Sequence, residues 1–177
     1  MFNLTDKFQC PGIVLNDLLL SEGTAAVDPE ELDFNVEIDR GELITSADGS
    51  GANGYKRYLF TESGISPRAI PGVPGHTHTV ATDEHMEDGV LISDEFTNPI
   101  KRRQMMEKRQ RKTAGIEAAV KPPELMGRAD AEVTLIGWGS TKGVIQEAVE
   151  MLNDEGITAN QLQVHWMVPL HGERIVE

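Results

Sequence analysis

The sequence predicts an α/β fold, and the clearest evidence lies in its last fifty residues. Ala131–Gly137 is an apolar run typical of a buried strand, and a glycine-rich turn follows at 138–143. A helix is predicted over Val144–Glu155 and a second strand over Leu162–Leu170. Two apolar strands joined by a helix form the smallest parallel crossover unit, so this segment sets the fold class.

Composition and charge exclude several classes of protein. The chain has 177 residues and a net charge of −13, and the acidic excess lies in residues 1–100, where eighteen acidic residues stand against five Lys or Arg. Nucleic-acid-binding proteins normally show the opposite balance, so no nucleic-acid partner is expected. The sequence has neither an apolar run long enough to cross a membrane nor a signal peptide, which predicts a cytoplasmic protein with no membrane partner.

The start of the chain combines a helix, a break and a short strand. Residues 2–8 have the pattern of the last turns of a helix, Cys10–Gly12 interrupts it, and Gly12–Asp17 is predicted to be extended. The single cysteine, Cys10, cannot form an internal disulfide, and we expect a packed or idle thiol. Both ends of the chain look interrupted, so we expect a piece of a larger protein that is poorly soluble without its partners.

A loop-rich segment occupies residues 21–93 and precedes a basic helix. Clusters of Gly, Pro, Asn and Asp divide the segment, and Tyr55–Phe60 is its best candidate strand. Asn98–Pro99 is a favourable helix start, and the helix is predicted over about 98–115. Seven of the sixteen Lys and Arg residues lie on it, so we expect a solvated or partner-facing helix whose cations pair with neighbouring carboxylates.

The glycine turn before the last helix is the first candidate binding site. Ser140, Thr141 and Lys142 would place two hydroxyls and an ammonium beside the free N–H groups of a helix N-terminus, which suits an anion. The spacing matches neither the dinucleotide fingerprint nor a P-loop. The alternative is a tight turn in which Ser140 or Thr141 caps the helix.

Three histidines form the second candidate. If residues 76–80 are extended, His76 and His78 share one face, and His85 or a carboxylate could complete a three-ligand metal site. The spacing matches no recurrent zinc pattern, however. An exposed acidic loop that contains histidines explains the same residues, and the leading interpretation therefore includes no metal site.

The third candidate is Arg68, which stands in a proline-flanked loop. An arginine held by rigid flanking residues suits a fixed contact with a carboxylate or phosphate. A surface salt bridge is an equally good interpretation of the sequence.

Taken together, these segments resemble the alpha subunit of the 2-oxoacid:ferredoxin oxidoreductases, especially its 2-oxoglutarate type, 2-oxoglutarate synthase. The resemblance rests on four stretches that span the chain, namely Asp6–Pro11 with Ile13–Ser21, Tyr55–Tyr58 with Gly64–Gly72, Asp83–His85 with Met106–Arg109, and Val133–Thr141. The second and fourth stretches in this order are the most specific.

The resemblance implies a domain organisation. Residues 1–21 would be the tail of a thiamine pyrimidine-binding domain, and residues 22–128 a connecting region that contains the helix at about 98–115. Residues 129–177 would be the start of a transketolase C-terminal-like domain. The loop-rich segment would then lie against neighbouring domains and the beta subunit.

The resemblance also implies an activity. The family decarboxylates a 2-oxoacid with thiamine diphosphate and magnesium, passes electrons through iron–sulfur clusters to ferredoxin, and transfers the acyl group to coenzyme A. This chain has neither a GDG motif nor cluster cysteines, which in the family belong to the beta subunit. The fragment alone is therefore expected to bind none of these cofactors and to be inactive, with no catalytic residue of its own.

Two functional hypotheses follow from the sequence. In the first, the chain is part of a 2-oxoacid:ferredoxin oxidoreductase, and Arg68, Ser140, Thr141 and Lys142 lie near the substrate or coenzyme A. In the second, it is a small anion- or metal-binding α/β module without catalysis, which uses the glycine turn or His76, His78 and His85. A third possibility is a non-catalytic interaction protein that docks through the basic helix.

Overall fold

The computed structural model describes residues 1–47, 54–92 and 98–176. The parts of the predicted connecting region at 48–53 and 93–97, and residue 177, lie outside the described residues. The helices are α1 (Phe2–Phe8), α2 (Leu18–Glu22), α3 (Pro99–Ala119), α4 (Thr141–Asp154) and α5 (Glu173–Val176), with a 3-10 turn at Pro29–Glu31. The strands are β1 (Leu43–Ile44), β2 (Arg68–Ala69), β3 (Glu124–Met126), β4 (Val133–Trp138) and β5 (Ala159–Val164).

The chain forms two compact units. The first contains Met1–Gly12 and Glu37–Ile116, and the second contains Ile13–Val36 and Glu117–Glu177. Among the helices within the described ranges, none is both long enough and apolar enough to cross a membrane.

In the first unit, one face of α3 contacts Phe8 at the end of α1 and the loop around Gly64. Met105 and Lys108 are buried and Lys112 is half-buried, while Gly115 packs against the ring of Phe8. These positions recur every three or four residues and form one face of the helix. The expectation of a solvated or partner-facing helix is therefore wrong for this face, and α3 extends to Ala119, beyond the predicted end.

The stretch Tyr55–Phe60 is not a strand. It has irregular and turn structure instead, and the backbone N–H of Tyr58 donates to the carbonyl of Glu87. The rings of Tyr55 and Tyr58 contact histidine rings. The alternating aromatic pattern therefore reflects ring packing and not a strand ladder. In this unit β1 and β2 form a short parallel pair.

The second unit confirms the predicted strand-helix-strand arrangement. Its sheet has the order β3-β5-β4, in which β4 and β5 are parallel and β3 is antiparallel to β5. Gly137 of β4 faces α4, because a Cβ there would collide with the side chain of Ile145. The helix α4 therefore covers one face of the sheet, as a crossover helix does.

The predicted limits of the second strand are wrong. β5 begins at Ala159, whose backbone N–H donates to Asn153 Oδ1 at 3.0 Å, and it ends at Val164. All six of its residues are buried, including Asn160, Gln161 and Gln163 at 2% exposure or less. The buried amide side chains make the sequence of this strand look polar. The search for an apolar run therefore placed the strand too late in the chain. The predicted Gly12–Asp17 strand is also absent, and Asp17 instead precedes α2.

Candidate functional site

The carboxylate of Asp17 occupies the N-terminus of α4. Gly139 takes a positive φ of 60°, and the next residue, Ser140, donates its backbone N–H to Asp17 Oδ2 at 3.3 Å. Asp17 Oδ1 accepts from the N–H of Leu20 at 2.9 Å, which caps α2. The hydrogen bond from the Ser140 side chain, followed by that from the Leu20 backbone, lowers the pKa of Asp17. The N-terminus of α4 thus binds a carboxylate that the chain itself supplies.

Thr141 closes the turn locally. Its hydroxyl donates to the carbonyl of Trp138 at 2.7 Å and accepts from the Trp138 N–H at 3.2 Å. Ser140 stands at the N-cap position, yet its side chain makes no capping bond to the helix. Capping by Ser140 or Thr141, the alternative derived from the sequence, is therefore replaced by capping from Asp17.

Lys142 is the cation of the turn. Its side chain is half-buried, and its backbone carbonyl accepts from Gln161 Nε2 at 3.3 Å. No ion pair or hydrogen bond of its ammonium group is found within the described part of the chain. Lys142 is therefore the group of this turn whose charge is available to a bound anion.

Arg68 is engaged by groups of its own unit. Its guanidinium contacts Asp6 Oδ1 at 3.2 Å and the carbonyl of Arg40 at 3.4 Å. Asp6 Oδ2 also pairs with Arg40 Nε at 2.9 Å, and the hydrogen bonds from Arg40 and then Arg68 lower the pKa of Asp6. The geometry therefore favours the salt-bridge interpretation of Arg68.

The three histidines pack against tyrosines. The rings of His76 and His78 lie 5.0 and 5.3 Å from the ring of Tyr55, and His85 lies 3.9 Å from Tyr58. Within residues 1–47, 54–92 and 98–176, no three His, Cys, Asp or Glu side chains are arranged to hold a metal ion. These contacts favour a structural role for the histidines.

The predicted site residues are divided between the two units. Arg68 and the histidines belong to the first, and Ser140, Thr141 and Lys142 to the second. The sequence analysis missed Asp17. An Asp directly before Leu18 is a helix-capping signal that could have revealed its role at α2. No local signal could reveal its bond to Ser140, because 123 positions separate the two residues.

Comparison with known proteins relates the chain to alpha subunits of 2-oxoacid:ferredoxin oxidoreductases, which are enzymes. Subunit alpha of 2-oxoacid:ferredoxin oxidoreductase 2 from Aeropyrum pernix is 39% identical over 180 aligned positions, which cover 99% of this chain and 26% of that protein. The alpha subunit from Saccharolobus solfataricus is 33% identical over 172 positions, covering 94% of this chain and 26% of that protein. No protein-family model matches the chain.

A solved structure shows the same relation. A chain of the 2-oxoglutarate:ferredoxin oxidoreductase from Magnetococcus marinus, with 2-oxoglutarate, coenzyme A and succinyl-CoA bound, matches with a TM-score of 0.77 and 32% identity. The match covers 98% of this chain and 29% of that chain. The chain thus spans about a quarter of the length of the curated relatives that it matches. These homologues indicate a part of an alpha subunit.

Proposed function

We propose that the chain works as part of the alpha subunit of a 2-oxoacid:ferredoxin oxidoreductase, and that the 2-oxoacid is 2-oxoglutarate. The reaction would be the oxidative decarboxylation of the 2-oxoacid to an acyl-CoA, with ferredoxin as electron acceptor. The observation that carries the proposal is the similarity over 98% of the chain to a solved 2-oxoglutarate:ferredoxin oxidoreductase. A beta subunit would be the partner.

The cofactors of such an enzyme do not fit the residues of this chain. Iron–sulfur clusters are held by several cysteine thiolates, and the chain has only Cys10. The described residues also offer no group of three His, Cys, Asp or Glu side chains for a metal ion. Thiamine diphosphate, magnesium and the clusters would therefore be bound by other parts of the complex, and no catalytic step is assigned to residues of this chain.

The glycine turn is the candidate site for an anionic substrate, because the ammonium of Lys142 has no partner among the described residues. In the proposed enzyme, Lys142 would attract a carboxylate of the 2-oxoacid or a phosphate of coenzyme A. Asp17 would compete for the N–H of Ser140, since both anions would need the same donor. Arg68 would hold its loop through Asp6 and would not contact substrate.

The test is reconstitution with a complete alpha subunit. The alpha subunit that contains this sequence is co-expressed with its beta subunit, and reduction of a viologen dye is measured with coenzyme A and a series of 2-oxoacids. We expect reduction that depends on both substrates and is fastest with 2-oxoglutarate. Faster turnover with pyruvate would overturn the substrate, and no turnover with any 2-oxoacid would overturn the enzyme class. Activity of the 177-residue chain with the beta subunit alone would contradict the prediction that this chain is inactive by itself.

Variants of the turn test its role within that enzyme. Lys142→Met should raise the KM of an anionic substrate severalfold, because one attractive charge is lost, while Lys121→Met should leave it unchanged. An unchanged KM for both coenzyme A and the 2-oxoacid in Lys142→Met would exclude the turn as a binding site.

A further inference from the structure

Lys108 is an isolated ammonium on the buried face of α3. Its residue is 4% exposed, next to the fully buried Met105 along the same face. Within the described ranges no hydrogen bond or ion pair of its side chain is found. Buried lysines almost always have a partner, because desolvating an unpaired charge is costly. The position would ordinarily suit an apolar residue.

The charges around Lys108 have the same sign as its own. Burial is the largest cause that lowers the pKa of Lys108 to about 8. The other causes are four neighbouring cations, namely Lys112, Arg57, Arg109 and Arg111. The cluster has only one described carboxylate contact, between Arg109 and Glu84 at 2.9 Å.

The neighbouring cations are held in place by other groups. Lys112 Nζ donates to the carbonyl of Gln9 and Arg57 to Gln9 Oε1, both at 2.9 Å, and Arg111 Nε donates to the carbonyl of Thr61 at 3.2 Å. Lys108 therefore sits among fixed positive charges that lack a matching number of anions, and an anion formed at its nitrogen would find those charges already in place.

The burial of Lys108 limits what can react with it. A hydrated phosphate or carboxylate would have to lose water to reach the amine of a residue that is 4% exposed, and this loss of hydration is unfavourable. A small uncharged molecule has no such penalty. Carbon dioxide is small and uncharged on arrival and becomes an anion when an amine captures it, so it meets both conditions.

We propose that Lys108 is a reversible carbon dioxide site, at which the buried amine forms a carbamate that the surrounding cations stabilise. The lone pair of the neutral Nζ attacks the carbon of CO2, the C–N bond forms, and one C=O electron pair moves to oxygen. The nitrogen then releases a proton to water, so that amine and CO2 give a carbamate anion and one proton without any redox change.

Burial of Lys108 and the four neighbouring cations favour the neutral amine that this reaction needs. With a pKa of about 8, roughly half of Lys108 is uncharged at pH 8, against about three in a thousand for an ordinary lysine of pKa 10.5. The inference does not rest on the proposed enzyme activity, although oxidative decarboxylation of a 2-oxoacid would release CO2.

The test is chemical trapping of the carbamate on the alpha subunit that contains this chain, in complex with its beta subunit and without substrate. The protein is equilibrated with 13C-bicarbonate at pH 8, treated with a trialkyloxonium reagent, digested, and analysed by mass spectrometry. We expect the trapped 13C label on Lys108 to exceed that on the exposed Lys121 by on the order of tenfold or more. Lys108→Met should remove the label, and Lys121→Met should leave it.

Each outcome decides the proposal. Label at Lys108 that is no higher than at Lys121 would overturn it, as would trapping that persists in Lys108→Met. If added phosphate protects Lys108 from the label, an ordinary anion site is present in place of a CO2 site. Should Lys108→Met fail to fold, the mapped label on the wild-type chain still gives the answer.

Discussion

The backbone N–H of Ser140 donates to Asp17 Oδ2 at 3.3 Å across a sequence separation of 123 residues. The other carboxylate oxygen of Asp17 caps α2 through Leu20. One side chain thus binds the N-termini of two helices, where the helix dipole favours a negative charge. This arrangement anchors the segment Ile13–Val36 within the second unit, although that segment leaves ten of its large apolar side chains exposed.

Removing the Asp17 carboxylate should loosen both helix starts. We expect Asp17→Ala to lower the thermal unfolding midpoint by a few degrees, and Asp17→Asn, which keeps an acceptor, to lower it less. Asp33→Ala is the matched control, because the one bond found for Asp33 Oδ1 among the described residues is from the nearby N–H of Asn35. Equal effects of Asp17→Ala and Asp33→Ala would show that the contact with Ser140 adds nothing to stability.

The pH dependence of stability should report the same contact. The folded state holds the pKa of Asp17 below its ordinary value of 3.8, so the contribution is complete above that value and is lost as pH falls through the lowered pKa. The stability difference between wild type and Asp17→Asn should therefore be constant near neutral pH and shrink in strong acid. Urea unfolding at a series of pH values measures it, and a difference that is unchanged down to pH 2 would contradict the assigned shift.

The sequence predicted the parts of this fold that depend on local pattern. Val133–Trp138 and α4 were found because an apolar run and a helical period each lie within a few consecutive residues. The predicted limits of β5 are wrong because Gln161 and Gln163 look like surface residues in the sequence. Both are buried on the face of the sheet that α4 covers. Contacts between distant residues, such as that of Asp17 with Ser140, leave no trace in local pattern, and the roles proposed for Arg68 and the glycine turn stay predictions.

Gly137 is needed for the contact between β4 and α4. A Cβ at this position would lie 2.8 Å from Thr141 Oγ1 and would collide with Ile145, so Gly137→Ala should destabilise the protein by about 1–3 kcal/mol. The matched control is Gly143→Ala in α4, where no atom lies within 4 Å of an added Cβ. That change should raise stability by about 0.5–1 kcal/mol, since alanine favours helix more than glycine does. Chemical denaturation of both variants checks the sign, and a loss in both would show that α4 does not tolerate added bulk at all.

Variants of Arg68 test whether its salt bridge has a structural role. Arg68→Lys keeps the charge but loses the planar contact that reaches both Asp6 and the carbonyl of Arg40. We expect a small loss of stability in Arg68→Lys and a larger one in Arg68→Ala, which also leaves Asp6 with only Arg40. In the complete enzyme neither variant should change the KM of the 2-oxoacid. A selective rise in that KM with unchanged stability would instead place Arg68 at the substrate.

Replacing Lys108 by an apolar residue should make the protein more stable. Because burial and nearby cations lower the pKa of Lys108 from 10.5 to about 8, the folded state binds its proton less tightly than the unfolded state does. The resulting penalty is complete below pH 8 and disappears as pH rises towards 10.5. Methionine is of similar length but uncharged. The free energy of unfolding of Lys108→Met should therefore exceed that of wild type by on the order of 1–3 kcal/mol at pH 7 in buffer free of carbon dioxide, and by less at pH 10. Lys121→Met, at an exposed position, should change little. If Lys108→Met is instead less stable than wild type at pH 7, the ammonium has a stabilising partner, and both the lowered pKa and the carbon dioxide site fall with it.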